Sequence, residues 1–182
     1  MNTPIGLFYG SNTGYTELVV DQLVAEFELV TPNLITVHNI AEVPVGRLLD
    51  YKYLIIGCPT WNVGQLQEDW DAQILDLENL DLTGKQVAVF GLGDQYGYSD
   101  NFCDAIGILG RKLVAQGAEL VGFTSTEGYE FSYSVGVENG RFLGLALDEE
   151  NESERTPDRL IDWTWQLVDE FDLVHLLEPV VT

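Results

Sequence analysis

The chain has 182 residues, room for one domain with a sizeable core, and carries 30 acidic against 8 basic side chains, a formal net charge of -22. Nucleic acid and anionic membrane both demand a basic face and are excluded as expected partners, whereas a field of this sign steers cationic surfaces toward the protein. Hydrophobic residues make up 46%, no apolar run reaches a membrane span, and no charged-then-apolar leader precedes the first strand, so a globular cytoplasmic protein without membrane insertion is expected.

Cys58 and Cys103 form no short-spaced pair, which suggests neither a disulfide framework nor a zinc site. Solubility or salt adaptation is the other source of an acidic excess this large.

Ile5 to Tyr9 is an apolar run that reads as a buried strand. Val20, Leu23, Val24 and Phe27, with Leu18, then recur at helical spacing. Leu34 to Val37 reads as a short strand, and Ala41 to Asp50 as a loop or short helix broken by Pro44 and Gly46. Tyr53 to Cys58 is continuously apolar and suits a central strand covered on both faces.

Leu66, Trp70, Ile74 and Leu77 recur at helical spacing, and Lys85 to Phe90 is another buried strand. Phe102, Ile106, Leu109 and Leu113 mark a further helix, in which Gly107 and Gly110 each cost roughly 1 kcal/mol relative to Ala. Glu119 to Phe123 starts a last strand that a polar stretch to Arg141 interrupts, and Phe142 to Leu147 resumes it. Thr156-Pro157 reads as an N-cap followed by the first helical residue, with Leu160, Trp163, Leu167 and Phe171 as the apolar face beyond. Val174 to Val180 is an apolar tail without an assigned role.

Strand and helix alternate five times, so the expected architecture is α/β, a parallel sheet with helices on both faces. Ligands of such sheets lie beyond the carboxyl ends of the strands. Three unusual turns leave those ends. The first, Gly10-Ser11-Asn12-Thr13-Gly14-Tyr15-Thr16, is uncharged and rich in hydroxyls ahead of a helix N-terminus, which suits a phosphate. It lacks the Lys of a nucleoside-triphosphate loop and the three glycines of the dinucleotide fingerprint, so a terminal phosphate monoester fits best. An ordinary turn with Thr16 as helix cap is the plainer reading.

The second turn, Pro59-Thr60-Trp61-Asn62-Val63-Gly64, offers an indole. The third, Gly91-Leu92-Gly93-Asp94 through Tyr98 to Asn101, offers Tyr96 and Tyr98. Two aromatics on neighbouring turns can enclose a planar ring. Gly91, Gly93 and Gly97 leave backbone groups for the ring's polar edge, with Asn62, Asp94 and Asn101 as side-chain partners. Phosphate, linker and flat ring together describe FMN.

Those three stretches resemble a flavodoxin, and the resemblance runs from Ile5 to about Phe171. The insertion, about 124–142 with Ser-Thr-Glu-Gly-Tyr-Glu-Phe from Ser125, and Gly-Leu-Ala-Leu-Asp from Gly144, resemble the long-chain subgroup. The resemblance implies a flavodoxin-like three-layer fold of strand order 2-1-3-4-5 whose last strand the insertion interrupts. It implies FMN stacked between Trp61 and Tyr98 with its phosphate at Ser11 to Thr16, and one-electron transfer between protein partners. Tyr15 stands where many relatives carry Lys or Asn. Residues 1–172 are then a single FMN-binding domain, expected as a monomer, and 173–182 an extension past the usual end.

Glu68, Asp69, Asp94, Asp100 and Asp148 lie on or next to the proposed ring-side turns. One negative charge ~10 Å from another opposes it by roughly 0.4–1.7 kcal/mol for ε between 80 and 20. For one electron that is about 18–70 mV, so several such charges drive the cofactor's second couple strongly negative. No residue set looks catalytic: His38 and His175 are isolated, both cysteines read as small buried hydrophobes, and Glu149-Glu150 reads as a solvated face. Trp70, Trp163 and Trp165 read as packing.

The implied partners are a ferredoxin–NADP reductase and photosystem I, or a nitrogenase component. The competing reading is an FMN-dependent NAD(P)H quinone or nitro reductase, which needs a basic nucleotide pocket that none of the three turns supplies. A phosphorelay receiver needs acids at strand ends where Gly10-Ser11 and Cys58-Pro59 stand, and is set aside.

Overall fold

In this computed structural model the chain is described over residues 4–177. All five residues of β1 (Ile5–Tyr9) are buried, because helices cover both faces of the strand. It pairs in parallel with β2 (Ile35–Asn39) on one side and β3 (Tyr53–Trp61) on the other, and β3 pairs in parallel with β5 (Gln86–Leu92). Two short strands share the outer edge of β5. β6 (Glu119–Val121) pairs from Gln86↔Glu119, and β10 (Leu145–Leu147) ends at Leu147↔Leu92. This is the expected order 2-1-3-4-5, with the fifth position filled by two fragments on either side of the insertion. The insertion folds back as an antiparallel sheet of β7 (Thr124–Ser125), β9 (Arg141–Phe142) and β8 (Val137–Glu138).

α1 (Tyr15–Val30) and α5 (Thr156–Glu170) pack on one face, burying Val19, Leu23, Phe27, Leu160, Trp163 and Leu167. α4 (Asp104–Ala115) and the 3-10 turn Val45–Asp50 pack on the other, around Ile56, Leu54, Ile106 and Leu109. The two large indoles named as packing are anchored as well as buried: Trp70 Nε1 donates to the Gly57 carbonyl and Trp163 Nε1 to that of Gly122, each at 2.9 Å.

Several local expectations change. β3 runs three residues past Cys58 and turns back through Asn62-Val63-Gly64 into β4 (Gln65–Leu66), so Leu66 belongs to a hairpin and not to a helix. Pro59 is tolerated there because β1 ends opposite Gly57, and its missing N–H interrupts no central ladder. The expected second helix is two short ones, α2 (Glu68–Ala72) and α3 (Ile74–Leu77).

Leu18 and Trp165 lie on the solvent sides of their helices, 57% and 53% exposed, and are not core. Thr156 is the first residue of α5 and not its cap, and its hydroxyl donates to Glu149. Gly107 has a reason to interrupt α4: a Cβ there would meet the Val135 carbonyl at 2.1 Å, where the insertion crosses the helix. Of the apolar tail, Val174–Leu176 form a 3-10 turn, and residues 178–182 lie outside the described residues.

Candidate functional site

A cleft of about 310 Å³ opens at the carboxyl ends of β1, β3 and β5, within the range of small-molecule sites. Its wall takes Thr13, Tyr15 and Thr16 from the first turn and Pro59, Thr60, Trp61 and Asn62 from the second. Leu92, Gly93, Asp94, Tyr98 and Asn101 come from the third. The convergence predicted from three separate stretches is therefore one concave site.

At the first turn, Gly14 adopts φ +90° and no side chain among the described residues caps α1. The hydroxyl of Ser11 accepts the Gly14 N–H at 3.1 Å inside the turn and keeps its own O–H as a donor. Thr16 is buried at the cleft wall in the first turn of α1, so it is not the cap that the plainer reading required. An uncapped helix of sixteen residues leaves its leading N–H groups and its positive end facing the cleft. Asn12 turns the other way, donating to Glu68 Oε1 at 2.7 Å and accepting from Gln67 Nε2 at 2.8 Å. It braces the turn from behind and does not line the cleft.

At the second turn, Asn62 sits at φ +48° and Gly64 at φ +83°, the left-handed geometry that lets β3 reverse after Trp61. Thr60 Oγ1 accepts the Ala105 N–H at 3.0 Å, fixing the hairpin to α4. The Trp61 Nε1 is buried without a hydrogen-bond partner among the described residues, an orphan donor that a ligand with acceptor atoms could satisfy. Val63 is 71% exposed at the tip of the turn and, like Gly64, stands outside the wall.

At the third turn, one backbone group of each of three glycines is engaged within the protein. Gly91 serves packing, since a Cβ there would lie 2.8 Å from Ile106 Cγ1, and its carbonyl accepts from the Cys103 thiol. The Gly93 N–H is given to the Leu147 carbonyl at 3.0 Å. The Gly97 N–H is given to Asp94 Oδ1 at 2.7 Å. These three groups have partners within the protein, while Gly93 itself stays on the cleft wall.

Asp94 lines the cleft but also folds the turn, accepting from the N–H groups of Tyr96 and Gly97 and from Asn151 Nδ2. Partial burial raises its pKa, and the three hydrogen bonds more than offset that, holding the carboxyl below its ordinary value. Asp148 is fully buried behind the wall. Its oxygens accept from the N–H groups of Gln95 and Asn151 and from Asn151 Nδ2, so it shapes the third turn and does not touch the cleft. One amide, Asn151 Nδ2, thus joins Asp94 to Asp148.

Glu149 and Glu150, read from sequence as a solvated face, belong to the cleft wall. Their position directly after Asp148, just past the end of β10, is the signal the sequence offers. Among the described residues, no lysine or arginine lines the cleft. Burial pushes the Cys58 thiol up to about 12 and the Cys103 thiol well above its usual value, and both side chains are fully buried. His38 is satisfied by the Tyr51 hydroxyl at 2.7 Å and stacks on Phe8, away from the cleft. The described residues contain no cluster suited to a metal ion and no helix long and apolar enough to cross a membrane.

The family profile described as Flavodoxin matches residues 7–163. A Nostoc sp. flavodoxin is 50% identical over 173 residues, covering 95% of this chain and 100% of that protein. A Synechococcus elongatus flavodoxin is 47% identical over 169 residues, 93% and 98% of the two chains. The crystal structure of a Fusobacterium nucleatum flavodoxin bound to flavin mononucleotide matches with a TM-score of 0.86 at 36% identity, covering 91% of this chain and 97% of that one. With its fold, its three converging turns and these similarities taken together, the chain belongs to the flavodoxin family.

Proposed function

We propose that the cleft holds FMN without a covalent bond and that the protein carries single electrons between redox proteins. One observation carries the reading: neutral donors, an uncapped helix end and two aromatic side chains converge on one cleft, in a chain 50% identical to a flavodoxin along almost its whole length. FMN supplies the redox chemistry, accepting and releasing electrons one at a time.

The chain's own residues bind and bias it. The N–H groups of Thr13, Tyr15 and Thr16 and the Thr13 and Thr16 hydroxyls would receive the phosphate. Trp61 and Tyr98 would stack on the ring, with Thr60 and Pro59 beside it and Asn62, Asp94 and Asn101 as partners for its polar edge. Asp94, Glu149 and Glu150 around the cleft oppose added negative charge. A reductase acting on NAD(P)H is disfavoured, because no basic side chain among the described residues lines the cleft to receive the nucleotide's phosphates.

The acidic surface fits basic-faced partners such as a ferredoxin–NADP reductase, photosystem I or a nitrogenase component. Residues 1–172 act as one domain with the insertion built in, in a cytoplasmic monomer, and 173–182 as an extension with no assigned role. Anaerobic spectroelectrochemical reduction of the loaded protein tests this. Two separated one-electron steps are expected, with no NADPH consumed unless a reductase is added. Direct NADPH oxidation by the protein alone would support the enzyme instead.

A further inference from the structure

Asp104 opens α4 and is only 3% exposed. Its Oδ2 accepts Asn101 Nδ2 at 3.0 Å and its Oδ1 accepts the Val135 N–H at 2.9 Å. A Cβ built on Gly64 would lie 2.5 Å from the same Oδ2, so the turn after Trp61 closes directly over this carboxyl group. One side chain thus touches the hairpin that carries Trp61, the stretch that follows Tyr98, and the insertion.

Asp104 makes no ion pair among the described residues. What faces it is two N–H donors and the positive end of a twelve-residue helix. Asn101 is on the cleft wall, so Asp104 stands one side chain behind the ring end of the site. Mobile ions screen exposed charges and reach a walled-in one poorly.

We propose that Asp104 is a positioning residue for the ring end of the cleft and a fixed negative charge that opposes the second electron independently of salt. The proposal rests on the FMN reading above. The exposed acids supply the part of the bias that salt removes, and Asp104 supplies a part that salt leaves in place.

Asp104→Asn keeps the size and an acceptor oxygen and drops the charge, and Asp104→Ser is neutral, smaller and keeps a hydroxyl acceptor. Both one-electron potentials of the FMN-loaded parent and variants are measured at about 10 mM and about 1 M sodium chloride. The second couple is expected to move positive in the variants by about tenfold in its equilibrium constant, ~59 mV, and equally at both salt concentrations. An unchanged second couple, or a shift that vanishes in concentrated salt, would overturn the proposal. FMN affinity unchanged from the parent in both variants, with native circular dichroism retained, would overturn the positioning role. A parent that takes up no FMN is a separate failure, that of the cofactor reading itself.

Discussion

Gln67 ties the two halves of the site together: its Nε2 donates to Asn12 Oδ1 at 2.8 Å while its Oε1 accepts the N–H groups of Asp69 and Trp70 at the start of α2. The side chain is fully buried, and Gly10 passes so close that a Cβ would lie 2.0 Å from Oε1. The turn proposed for phosphate and the segment that follows the Trp61 hairpin therefore share one amide. Gln67→Ala removes a helix cap and frees Asn12, at an expected cost of about 1–2 kcal/mol in urea unfolding of the apoprotein. The same substitution is expected to weaken FMN binding, followed by flavin fluorescence. Loss of stability with unchanged affinity would show that the two halves are independent.

Gly14 gives a cleaner probe of the first turn. Nothing lies within 4 Å of a Cβ built there, so Gly14→Ala changes only the cost of holding φ +90°. That strain is roughly 1–2 kcal/mol, about a tenfold or greater loss in FMN affinity if the turn relaxes out of register. Riboflavin, which lacks the phosphate, is expected to lose little. Equal losses for both ligands would move the phosphate away from this turn.

Acid sensitivity follows from Asp94. Its folded carboxyl sits below its ordinary value, so the stabilisation is fully present above the unfolded pKa and is lost as pH falls through the folded one. Asp94→Ala is expected to flatten the decline of the urea midpoint below about pH 4. Asn151→Ala, which removes the amide shared with Asp148, is expected to reduce the slope without abolishing it. A parent-like slope in both variants would contradict the network.

Neither thiol is expected to react in the folded state. Cys58, with its pKa raised to about 12, and the equally buried Cys103 have almost no thiolate at pH 8. Titration with a disulfide reagent is expected to modify both only on unfolding, and rapid reaction of the native protein would contradict their burial.

The sheet was legible because Ile5–Tyr9, Tyr53–Cys58 and Lys85–Phe90 are apolar runs too short for helices, and the turns because Gly, Asn and aromatic residues gather where those runs stop. What could not be read depends on partners distant in sequence. Leu66 fits a helical spacing with Trp70, yet pairing with Thr60 makes it strand. Gly91 looks like open backbone in one dimension, and Ile106 packs against it in three, while the N–H groups of Gly93 and Gly97 go to Leu147 and Asp94. Asp148 and Glu149 are adjacent acids. Burial behind Gln95 and Asn151 makes the first a scaffold, and only the second reaches the cleft.

The central claim is tested most directly by titrating apoprotein with FMN while following flavin fluorescence and the visible spectrum. The account predicts quenching that saturates at one FMN per chain, a yellow product, and much weaker quenching in Trp61→Ala, which loses the indole at the ring face. A colourless protein that leaves FMN fluorescence unchanged would contradict it.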